Sequence, residues 1–267
     1  MPLTTIDSLQ NPRIKRVKAL SQKRQRDREG LFSLEGEREL VRGLAAGVGV
    51  TQILICPELF KHGPVSEAIH QSLLEGSTPV VYLTKKVFEH CSYRENPDGF
   101  IATCRTFNRT LDQLSLSAIP LLLILESLEK PGNLGTILRT ADAVGVDALI
   151  LNDPVTDLFN PNVIRASAGV VFKVPTVSTT PEKTQAFLKA HSISSYGTTP
   201  DTEQLHYHAD FAKPCAILMG SEKDGLSNFW IQECDQKIRL PMHGQADSLN
   251  VGAATAAVLY EVVRQRL

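Results

Sequence analysis

The chain has 267 residues, of which 42% are hydrophobic, 21% charged and 6% aromatic; these proportions are typical of globular proteins and exclude disordered, collagen-like and membrane-embedded chains. At roughly 150 residues per domain, the length predicts two domains. With 28 basic and 29 acidic residues the net charge is −1, which by itself argues against a nucleic-acid partner, because phosphate binding depends on an excess of Lys and Arg.

The apolar and cysteine patterns bear on the compartment in which the protein works. The N-terminus turns polar within a few residues and no apolar run approaches the ~18 residues of a spanning helix, so we expect a cytoplasmic protein without a membrane partner. His206 and His208 have no third ligand at a recognised spacing, and no metal is expected. An odd number of cysteines without a CxxC pair indicates neither a disulfide framework nor a zinc knuckle, and we expect reduced, buried thiols at Cys56, Cys91, Cys104, Cys215 and Cys234.

The net charge conceals a strongly basic segment at residues 11–28. Eight basic residues and one acid, Asp27, give it a charge of +7, which leaves −8 for the rest of the chain. Ile14, Val17 and Leu20 recur at three-residue steps, which predicts a helix with one apolar stripe and a cationic remainder. A solvated surface helix and an RNA-binding arm fit this pattern equally well. The residues that would contact RNA are Arg13, Lys15, Arg16 and Lys18.

The next part of the chain contains short strand and helix patterns. Apolar runs predict strands at 52–56, 79–83 and 99–104, and helical periodicity covers 37–46 and 65–74. Residues 106–117 are polar and lack periodicity, as expected for a linker. We therefore predict an N-terminal domain over residues 1–110, which includes the basic helix, and a second domain over residues 111–267.

The second domain alternates strands and helices more regularly. Strands are predicted at 121–126, 148–152, 170–174, 193–198, 215–220 and 237–242, and helices at 133–144, 160–168, 181–191, from 227, and at 248–266. Asn133 and Asn160 suit helix caps, Pro161 suits a first helical turn, and Gly145 suits a helix end. The alternation predicts an α/β fold with a parallel sheet covered on both faces and ligand sites at the carboxyl ends of its strands.

Three polar, glycine-containing turns follow apolar strands where such a site is expected. They read NLGTILRT at residues 133–140, GSEKDGLS at residues 220–227 and LPMHGQADSLNV at residues 240–251. Their Ser-Glu and Ser-x-Asn pairs also suit helix caps. The GxGxxG, P-loop and GxSxG patterns are absent, which removes the main support for a dinucleotide site, a nucleotide cradle or a nucleophilic serine.

In this order, the three motifs resemble those of the SpoU (TrmH-type) RNA 2′-O-ribose methyltransferases, a branch of the SPOUT superfamily, over about residues 118–266. Residues 32–37, FSLEGE, and 94–101, RENPDGFI, resemble parts of that family's N-terminal substrate-binding domain, a ribosomal-protein-like α/β sandwich that would cover about residues 28–105. The resemblance implies that the C-terminal domain contains a deep trefoil knot, against the general rule that chains do not thread loops.

The resemblance also implies a cofactor, S-adenosylmethionine, held in a bent form largely by backbone groups of the second and third motifs. Carried onto this chain residue by residue, the cofactor contacts fall at Met219, Gly220, Leu240, Met242 and Leu249. Methyl transfer to a ribose 2′-hydroxyl needs aligned partners, and alignment can lower the barrier by roughly 7–11 kcal/mol. It also needs a group beside the hydroxyl that accepts or polarises its proton.

The family's proposed proton acceptor corresponds to Arg139 of the first motif. Because arginine normally stays protonated, we favour a guanidinium that grips the neighbouring phosphate and orients the hydroxyl, with proton acceptance left open. Asn133 would cap its helix or contact the ribose, and Glu222 would anchor Arg139 through a charge-assisted hydrogen bond. Ser248 and Asn250 would cap the last helix, contact the substrate or cofactor, or do both.

The function implied is S-adenosylmethionine-dependent 2′-O-methylation of a nucleotide in structured RNA. The ribosomal-protein-like domain favours 23S rRNA, with tRNA as an alternative, and Arg165 joins Arg139 as a candidate RNA contact in this domain. A catalytically silent RNA-binding or ribosome-assembly factor is a further alternative, although the polar motif residues are intact. Small residues at 252–257 permit close helix packing, and the family dimerises through this region, so we expect a C2 homodimer.

Overall fold

The computed structural model describes residues 5–267, which form two compact units. The first unit contains the chain up to Phe107 together with Asp157–Phe172, and the second contains Asn108–Thr156 and Lys173–Leu267. The first passage between the units lies close to the predicted domain boundary at residues 110 and 111. We did not predict the return of Asp157–Phe172 to the first unit, because the sequence pattern assigned these residues to the second domain.

The first unit is built on a five-stranded mixed sheet. Its strands are β1 (Thr5–Ile6), β2 (Leu31–Glu35), β3 (Val50–Ile55), β4 (Val80–Leu83) and β5 (Phe100–Arg105), and the helices among them are α1 (Pro12–Ala19), α2 (Lys23–Glu29), α3 (Glu37–Ala45), α4 (Pro64–Glu75) and α5 (Lys85–Cys91). In the order β1-β4-β3-β5-β2, the first three strands are parallel, and β5 is antiparallel to both of its neighbours. The unit is therefore α/β, as predicted.

The basic segment forms two helices, so the single helix predicted from its periodicity is wrong. Ile14 and Val17 of α1 are buried, as the apolar stripe indicates, but the helix ends before Leu20. Arg26 of α2 is only 2% exposed, and its Nη1 donates hydrogen bonds to the carbonyl oxygens of Leu20 (2.9 Å) and Ser21 (2.8 Å). These carbonyls lie in the break between the helices, so the buried arginine satisfies acceptors that a continuing helix would have used.

The second unit is built on a six-stranded parallel sheet. Its strands are β6 (Leu121–Glu126), β7 (Ala148–Asn152), β8 (Thr176–Thr179), β9 (Ser194–Thr198), β10 (Cys215–Met219) and β11 (Gln236–Ile238); its helices are α6 (Pro131–Val144), α8 (Pro181–Ala190), α9 (Asn228–Glu233) and α10 (Val251–Arg266), whereas α7 (Pro161–Ala166) belongs to the first unit. The order β11-β9-β10-β6-β7-β8 with parallel pairing confirms the predicted α/β fold. The trefoil knot stays a prediction.

Helices cover the sheet of the second unit. Leu122 and Ile124 of β6 share an apolar cluster with Leu188 of α8 and Trp230 of α9. Helices α6 and α10 pack against each other, and α10 also contacts β10. Every residue of β6, β7 and β10 is buried, which agrees with a parallel sheet buried on both faces.

Side chains of the first unit hold the segment Asp157–Phe172, which contains α7. Nη2 of the buried Arg26 lies 2.7 Å from Oδ2 of Asp157. Phe32 of β2 stacks on Phe159, with ring centroids 4.7 Å apart. A buried ion pair that loses one partner is strongly destabilising, so Arg26 serves the fold and is unavailable to RNA.

Local signals predicted the ends of two helices correctly. Asn160 accepts a hydrogen bond from the backbone N–H of Asn162, and Pro161 is the first residue of α7. Gly145 ends α6 in the left-handed conformation, with φ 73°. Both signals act through the backbone of adjacent residues, which is why they can be read from the sequence.

The predicted strand at residues 170–174 is wrong. Val170–Phe172 forms a short 3-10 helix in the first unit, and the strand lies further on, at Thr176–Thr179. Gly169, with φ +83°, turns the chain immediately before the apolar run. A short apolar run indicates burial, which helices and strands share, and so does not distinguish between them.

The cysteines carry free thiols. Four of them are buried and Cys234 is half-buried, which agrees with the prediction for all but that residue. Burial raises the pKa of Cys91 and of Cys104 to about 12, which keeps both thiols protonated and unreactive.

No helix within residues 5–267 combines the length and apolar character needed to cross a membrane.

Candidate active site

A cleft opens at the carboxyl edge of the parallel sheet, where the segments after β9, β10 and β11 approach the start of α10. Its main cavity has a volume of about 780 Å³, and a smaller cavity of about 130 Å³ shares part of its lining. The larger volume falls within the ~300–1,000 Å³ range of small-molecule sites. The residues assigned to the cofactor by resemblance all line these cavities: Met219, Gly220, Leu240, Met242 and Leu249.

The turn from Gly220 to Gly225 carries the second motif into this cleft. Ser221 and Gly225 exchange backbone hydrogen bonds of 2.9 and 3.2 Å, and Gly225 has φ +70°, which glycine adopts without strain. A Cβ atom on Gly220 would lie 2.0 Å from the carbonyl carbon of Gly225 and 2.2 Å from the backbone nitrogen of Leu226. Only glycine therefore allows the chain to fold back this closely, and the fold-back brings Glu222 to the cleft.

A chain of hydrogen bonds joins the three motifs. Nδ2 of Asn133 donates to Oε1 of Glu222 at 2.7 Å, and Nδ2 of Asn250 donates to Oδ1 of Asn133 at 3.3 Å. Oδ1 of Asn250 accepts from the backbone N–H of Gly252 at 2.9 Å and so caps α10, as predicted. The structure thus brings together one polar side chain from each motif.

Asn133 does not cap α6, although capping was the first of the two roles considered for it. The helix begins at Pro131, with Lys130 in the N-cap position, so Asn133 lies inside the first turn. Its side chain bonds to Glu222 and Asn250 instead. The helix starts two residues before the predicted position because the fixed backbone angle of Pro131 suits the first helical residue.

The surroundings of Glu222 favour its ionised carboxylate. Burial by itself raises the pKa of Glu222, but hydrogen bonds from the Asn133 amide and from the backbone N–H groups of Glu222, Glu129 and Lys130 together lower it below the ordinary value of 4.5. The carboxylate is therefore charged at neutral pH, and it holds the Asn133 amide in one orientation.

We expect Glu222→Gln to destabilise the fold by about 1 kcal/mol at pH 7, because the amide loses charge-assisted hydrogen bonds and turns an N–H group toward existing donors. The pKa of Glu222 is lower in the folded state than in the unfolded state. The stabilisation by Glu222 is therefore complete at pH values above the unfolded-state pKa, and it disappears as the pH falls through the folded-state pKa. Urea unfolding should therefore show a difference in free energy of unfolding that shrinks below about pH 4.5. The exposed Glu95→Gln serves as the control, and a pH-independent difference for Glu222→Gln would contradict this account.

Arg139 lies outside the hydrogen-bonded chain. Its side chain is exposed on α6 and, within residues 5–267, lines neither cavity and forms no hydrogen bond or ion pair. The predicted anchoring by Glu222 is wrong, because that carboxylate accepts from Asn133 and from the backbone N–H of Glu129 instead. Ser248, in contrast, is exposed and lines both cavities.

The other predicted RNA contacts lie in the first unit. Four of them are exposed on α1: Arg13, Lys15, Arg16 and Lys18. Arg16 forms an ion pair with Glu29, and Nζ of Lys18 lies 3.1 Å from Nε2 of His90. Arg165 is exposed on α7, not in the cleft of the second unit.

The segment after β9 also lines the cleft, although none of the three motifs predicts it. Thr198, Thr199 and Pro200 border both cavities. Oγ1 of Thr198 donates to the carbonyl oxygen of Leu218 at 2.7 Å and lies 3.3 Å from Sδ of Met219, so it positions a cleft side chain. The signal was present, since these residues form a polar turn directly after a strand, but the turn matches none of the three motifs.

Two buried polar residues at the ends of strands bind the start of α9, which borders the cleft. Oε2 of Glu126, at the end of β6, accepts from the backbone N–H of Ser227 at 2.7 Å. Oδ1 of Asn152, at the end of β7, accepts from Nε1 of Trp230 at 3.2 Å. These bonds fix the start of α9, which follows the second motif. Each acceptor is the polar last residue of an apolar strand, a pattern that could have identified it.

The lining of the cleft suits S-adenosylmethionine, which combines a flat aromatic adenine ring with a sulfonium cation. Leu240 and Met242 give the smaller cavity an apolar wall. Four acidic side chains line the larger cavity against three lysines: Asp201, Glu222, Asp224 and Asp247 against Lys130, Lys223 and Lys237. Over residues 5–267, no group of three or more His, Cys, Asp or Glu side chains is arranged to hold a metal ion.

Two family models match the chain. The model of the SpoU rRNA Methylase family matches residues 120–260, which include all three motifs. The model of the MRM3-like substrate binding domain matches residues 11–102, which include the basic segment. The first match alone covers more than half of the chain.

Individual relatives match almost the full length. An uncharacterized tRNA/rRNA methyltransferase from Synechocystis is 32% identical over 275 residues, which cover 99% of this chain and 95% of that protein. The Bacillus subtilis 23S rRNA (guanosine(2553)-2′-O)-methyltransferase RlmP is 29% identical, with 96% and 98% covered. The AdoMet-bound rRNA methyltransferase from Sinorhizobium meliloti superimposes with a TM-score of 0.89 at 29% identity, covering 99% of this chain and 98% of that one. The resemblance carried by the three motifs is therefore confirmed, and the chain belongs to the SpoU rRNA methylase family.

Proposed function

We propose that the protein transfers the methyl group of S-adenosylmethionine to the 2′-hydroxyl of one ribose in 23S rRNA. As a member of the SpoU family it is an S-adenosylmethionine-dependent RNA 2′-O-methyltransferase. The name of the B. subtilis relative and the match to a substrate binding domain support 23S rRNA as the target. The site assignment rests on one observation: a hydrogen-bonded chain through Glu222, Asn133 and Asn250 beside the cleft that the cofactor residues line.

The protein contributes mainly by positioning the reactants. When bound, S-adenosylmethionine supplies a methyl group activated by its positively charged sulfur. The side chains that exclude water from the cofactor pocket are those of Met219, Leu240, Met242 and Leu249. Backbone groups beside Gly220 hold the cofactor. Displacement at the methyl carbon requires aligned partners, for which positioning supplies roughly 7–11 kcal/mol.

On the substrate side, the polar residues have distinct proposed roles. Glu222 keeps the amide of Asn133 oriented, and Asn133 contacts the ribose. Ser248, whose hydroxyl has no hydrogen-bond partner among residues 5–267, binds substrate or cofactor. The guanidinium of Arg139 grips the adjacent phosphate and polarises the 2′-hydroxyl, which makes the oxygen a better nucleophile.

The proposed function is tested by incubating the protein with labelled S-adenosylmethionine and with 23S rRNA or tRNA, followed by mapping of ribose methylation by mass spectrometry. We expect one modified nucleotide in 23S rRNA. Modification of tRNA alone would transfer the assignment to that substrate. Absence of both methylation and cofactor binding in calorimetric titration would favour a silent RNA-binding or assembly factor. The relatives named above are bacterial, and a ribosomal substrate would place the reaction in the cytoplasm.

We further propose a C2 homodimer formed through α10. The support is an exposed strip on this helix that combines the small Ala253 with Tyr260, a residue that is 55% exposed. Light scattering at micromolar concentration should give twice the mass of one chain, and Ala253→Arg should give the monomer. Ala186→Arg, at an exposed position of α8, should remain dimeric. A monomeric wild-type protein would refute the dimer and leave the methyltransferase assignment intact.

A further inference from the structure

The first unit contains a cavity of its own, and no residue of the three motifs lines it. It lies among α1, β2, the segment after α5, and α7, and its polar lining includes Lys18, Ser33, Glu35, Tyr93, Arg94 and Arg165. Its volume is about 60 Å³, which accommodates water-sized groups and not a whole base. We propose that one unpaired nucleotide of the substrate RNA binds across the mouth of this cavity, with its base stacked on Tyr93 and its phosphate held by Lys18 and Arg165. The inference rests on the proposed function, because it extends the recognition of the same RNA to the first unit.

Tyr93 has the properties of a fixed stacking platform. The residue is 46% exposed and lines the cavity. Its hydroxyl accepts a hydrogen bond from Nδ2 of Asn162 at 2.8 Å, and its backbone N–H donates to Oε2 of Glu35 at 2.7 Å. The ring is therefore held from both ends while its surface stays accessible, which reduces the entropy lost when a base stacks on it.

The uncommitted charges at the cavity are positive. Arg165 is exposed, and its side chain forms no hydrogen bond or ion pair within residues 5–267. Nζ of Lys18 contacts only the ring nitrogen of His90, at 3.1 Å, among these residues. Among the described residues neither basic side chain has an acidic partner, as expected for contacts to a phosphate.

The other two charged residues of the lining are already committed. The carboxylate of Glu35 accepts from Oγ of Ser92 and from the backbone N–H of Tyr93, so it fixes the loop. Arg94 forms ion pairs with Glu39 at 2.8 Å and with Asp98 at 3.5 Å. The cavity therefore offers an incoming ligand two cations and one aromatic face, the combination that binds single-stranded nucleic acid.

One wall of this cavity comes from a segment remote in sequence. Arg165 and Asn162 lie on α7, outside residues 11–102 that match the substrate binding domain and inside the SpoU match. The ion pair between Arg26 and Asp157 and the stacking of Phe32 on Phe159 fix this segment in the first unit. The nucleotide site is complete only because α7 belongs to that unit.

The test compares RNA affinity and kinetics among matched variants. The probes are a single-stranded RNA of mixed sequence and a 23S rRNA transcript. Tyr93→Ala should weaken binding roughly 5- to 100-fold, whereas Tyr93→Phe should bind nearly as the wild type, because stacking depends on the ring. Arg165→Ala should weaken binding and lower the slope of log affinity against log salt concentration by about the amount that one phosphate contact contributes. The control is Lys183→Ala, which removes an exposed lysine on α8 and should leave RNA affinity unchanged. In methylation assays Tyr93→Ala should raise KM with little change in kcat.

Ultraviolet cross-linking provides a readout that a purely structural role would not give. We expect a nucleotide covalently attached to the peptide that contains Tyr93. Wild-type affinity of both Tyr93→Ala and Arg165→Ala, without a cross-link, would overturn the proposal while 23S rRNA methylation persists. Conversely, a cross-link with weakened binding in Tyr93→Ala would sustain the RNA site even if no ribose were methylated. Urea unfolding of each variant separates lost binding from lost folding.

Discussion

Replacing Arg139 with alanine should lower the rate constant for methyl transfer by at least about 100-fold, the scale of loss when a charge-stabilising donor is removed from a reacting centre. The structure leaves this side chain exposed and without partners among residues 5–267, so the fold does not depend on it. It also lines neither cavity of the cleft, so S-adenosylmethionine should bind as before. Single-turnover kinetics with 23S rRNA, together with calorimetric titration of the cofactor, measure the two effects separately.

Arg139→Lys is the matched control for this prediction. Lysine keeps the positive charge but lacks the planar fork that can hold phosphate and hydroxyl together, so its rate should fall between those of wild type and Arg139→Ala. The free energy of unfolding should change by less than about 0.5 kcal/mol in both variants. Turnover near the wild-type rate in Arg139→Ala would remove Arg139 from the mechanism.

Replacing Gly220 with alanine should abolish cofactor binding and destabilise the second unit by more than about 3 kcal/mol. The loss is large because the added Cβ atom clashes with backbone atoms, which can move aside less easily than a flexible side chain. The added Cβ would meet the carbonyl carbon of Gly225 at 2.0 Å and the backbone nitrogen of Leu226 at 2.2 Å. The turn would have to open, and Glu222 would then move away from Asn133. Urea unfolding and cofactor titration are the measurements.

Gly132→Ala is the control for Gly220→Ala. A Cβ at Gly132, in the first turn of α6, meets no heavy atom within 4 Å, so this variant should keep or slightly increase stability. If Gly220→Ala unfolded at the same urea concentration as the wild type and bound S-adenosylmethionine, the close approach in this turn would not matter to the site.

The sequence was sufficient where neighbouring residues decide the structure. Asn160 before Pro161 caps a helix through its own backbone environment. The strand at Leu121–Glu126 is apolar up to its last residue, as expected for a strand with both faces buried. Motif order was sufficient for the family and for the five cleft-lining residues that the resemblance assigned to the cofactor. These features depend on local propensity or on a pattern shared with relatives, and both are present in the chain itself.

The sequence was insufficient where a distant partner decides the role of a side chain. Asn133 suited a cap, but its amide pairs with Glu222, 89 residues away. Arg26 resembled its basic neighbours, yet Asp157, 131 residues away, draws it into the interior. A polar side chain with several possible partners carries no local mark of the one it takes, so such contacts require the fold.

The return of Asp157–Phe172 to the first unit constrains how this enzyme can be divided or recombined. The polypeptide passes between its units three times, so no single cut separates them. A fragment that starts at Asn108 would still carry Val163, Ile164 and Phe172, whose buried apolar surface would lose its partners. Exchange of the first unit between enzymes therefore requires two coordinated replacements, one of which is a short stretch within the methyltransferase sequence.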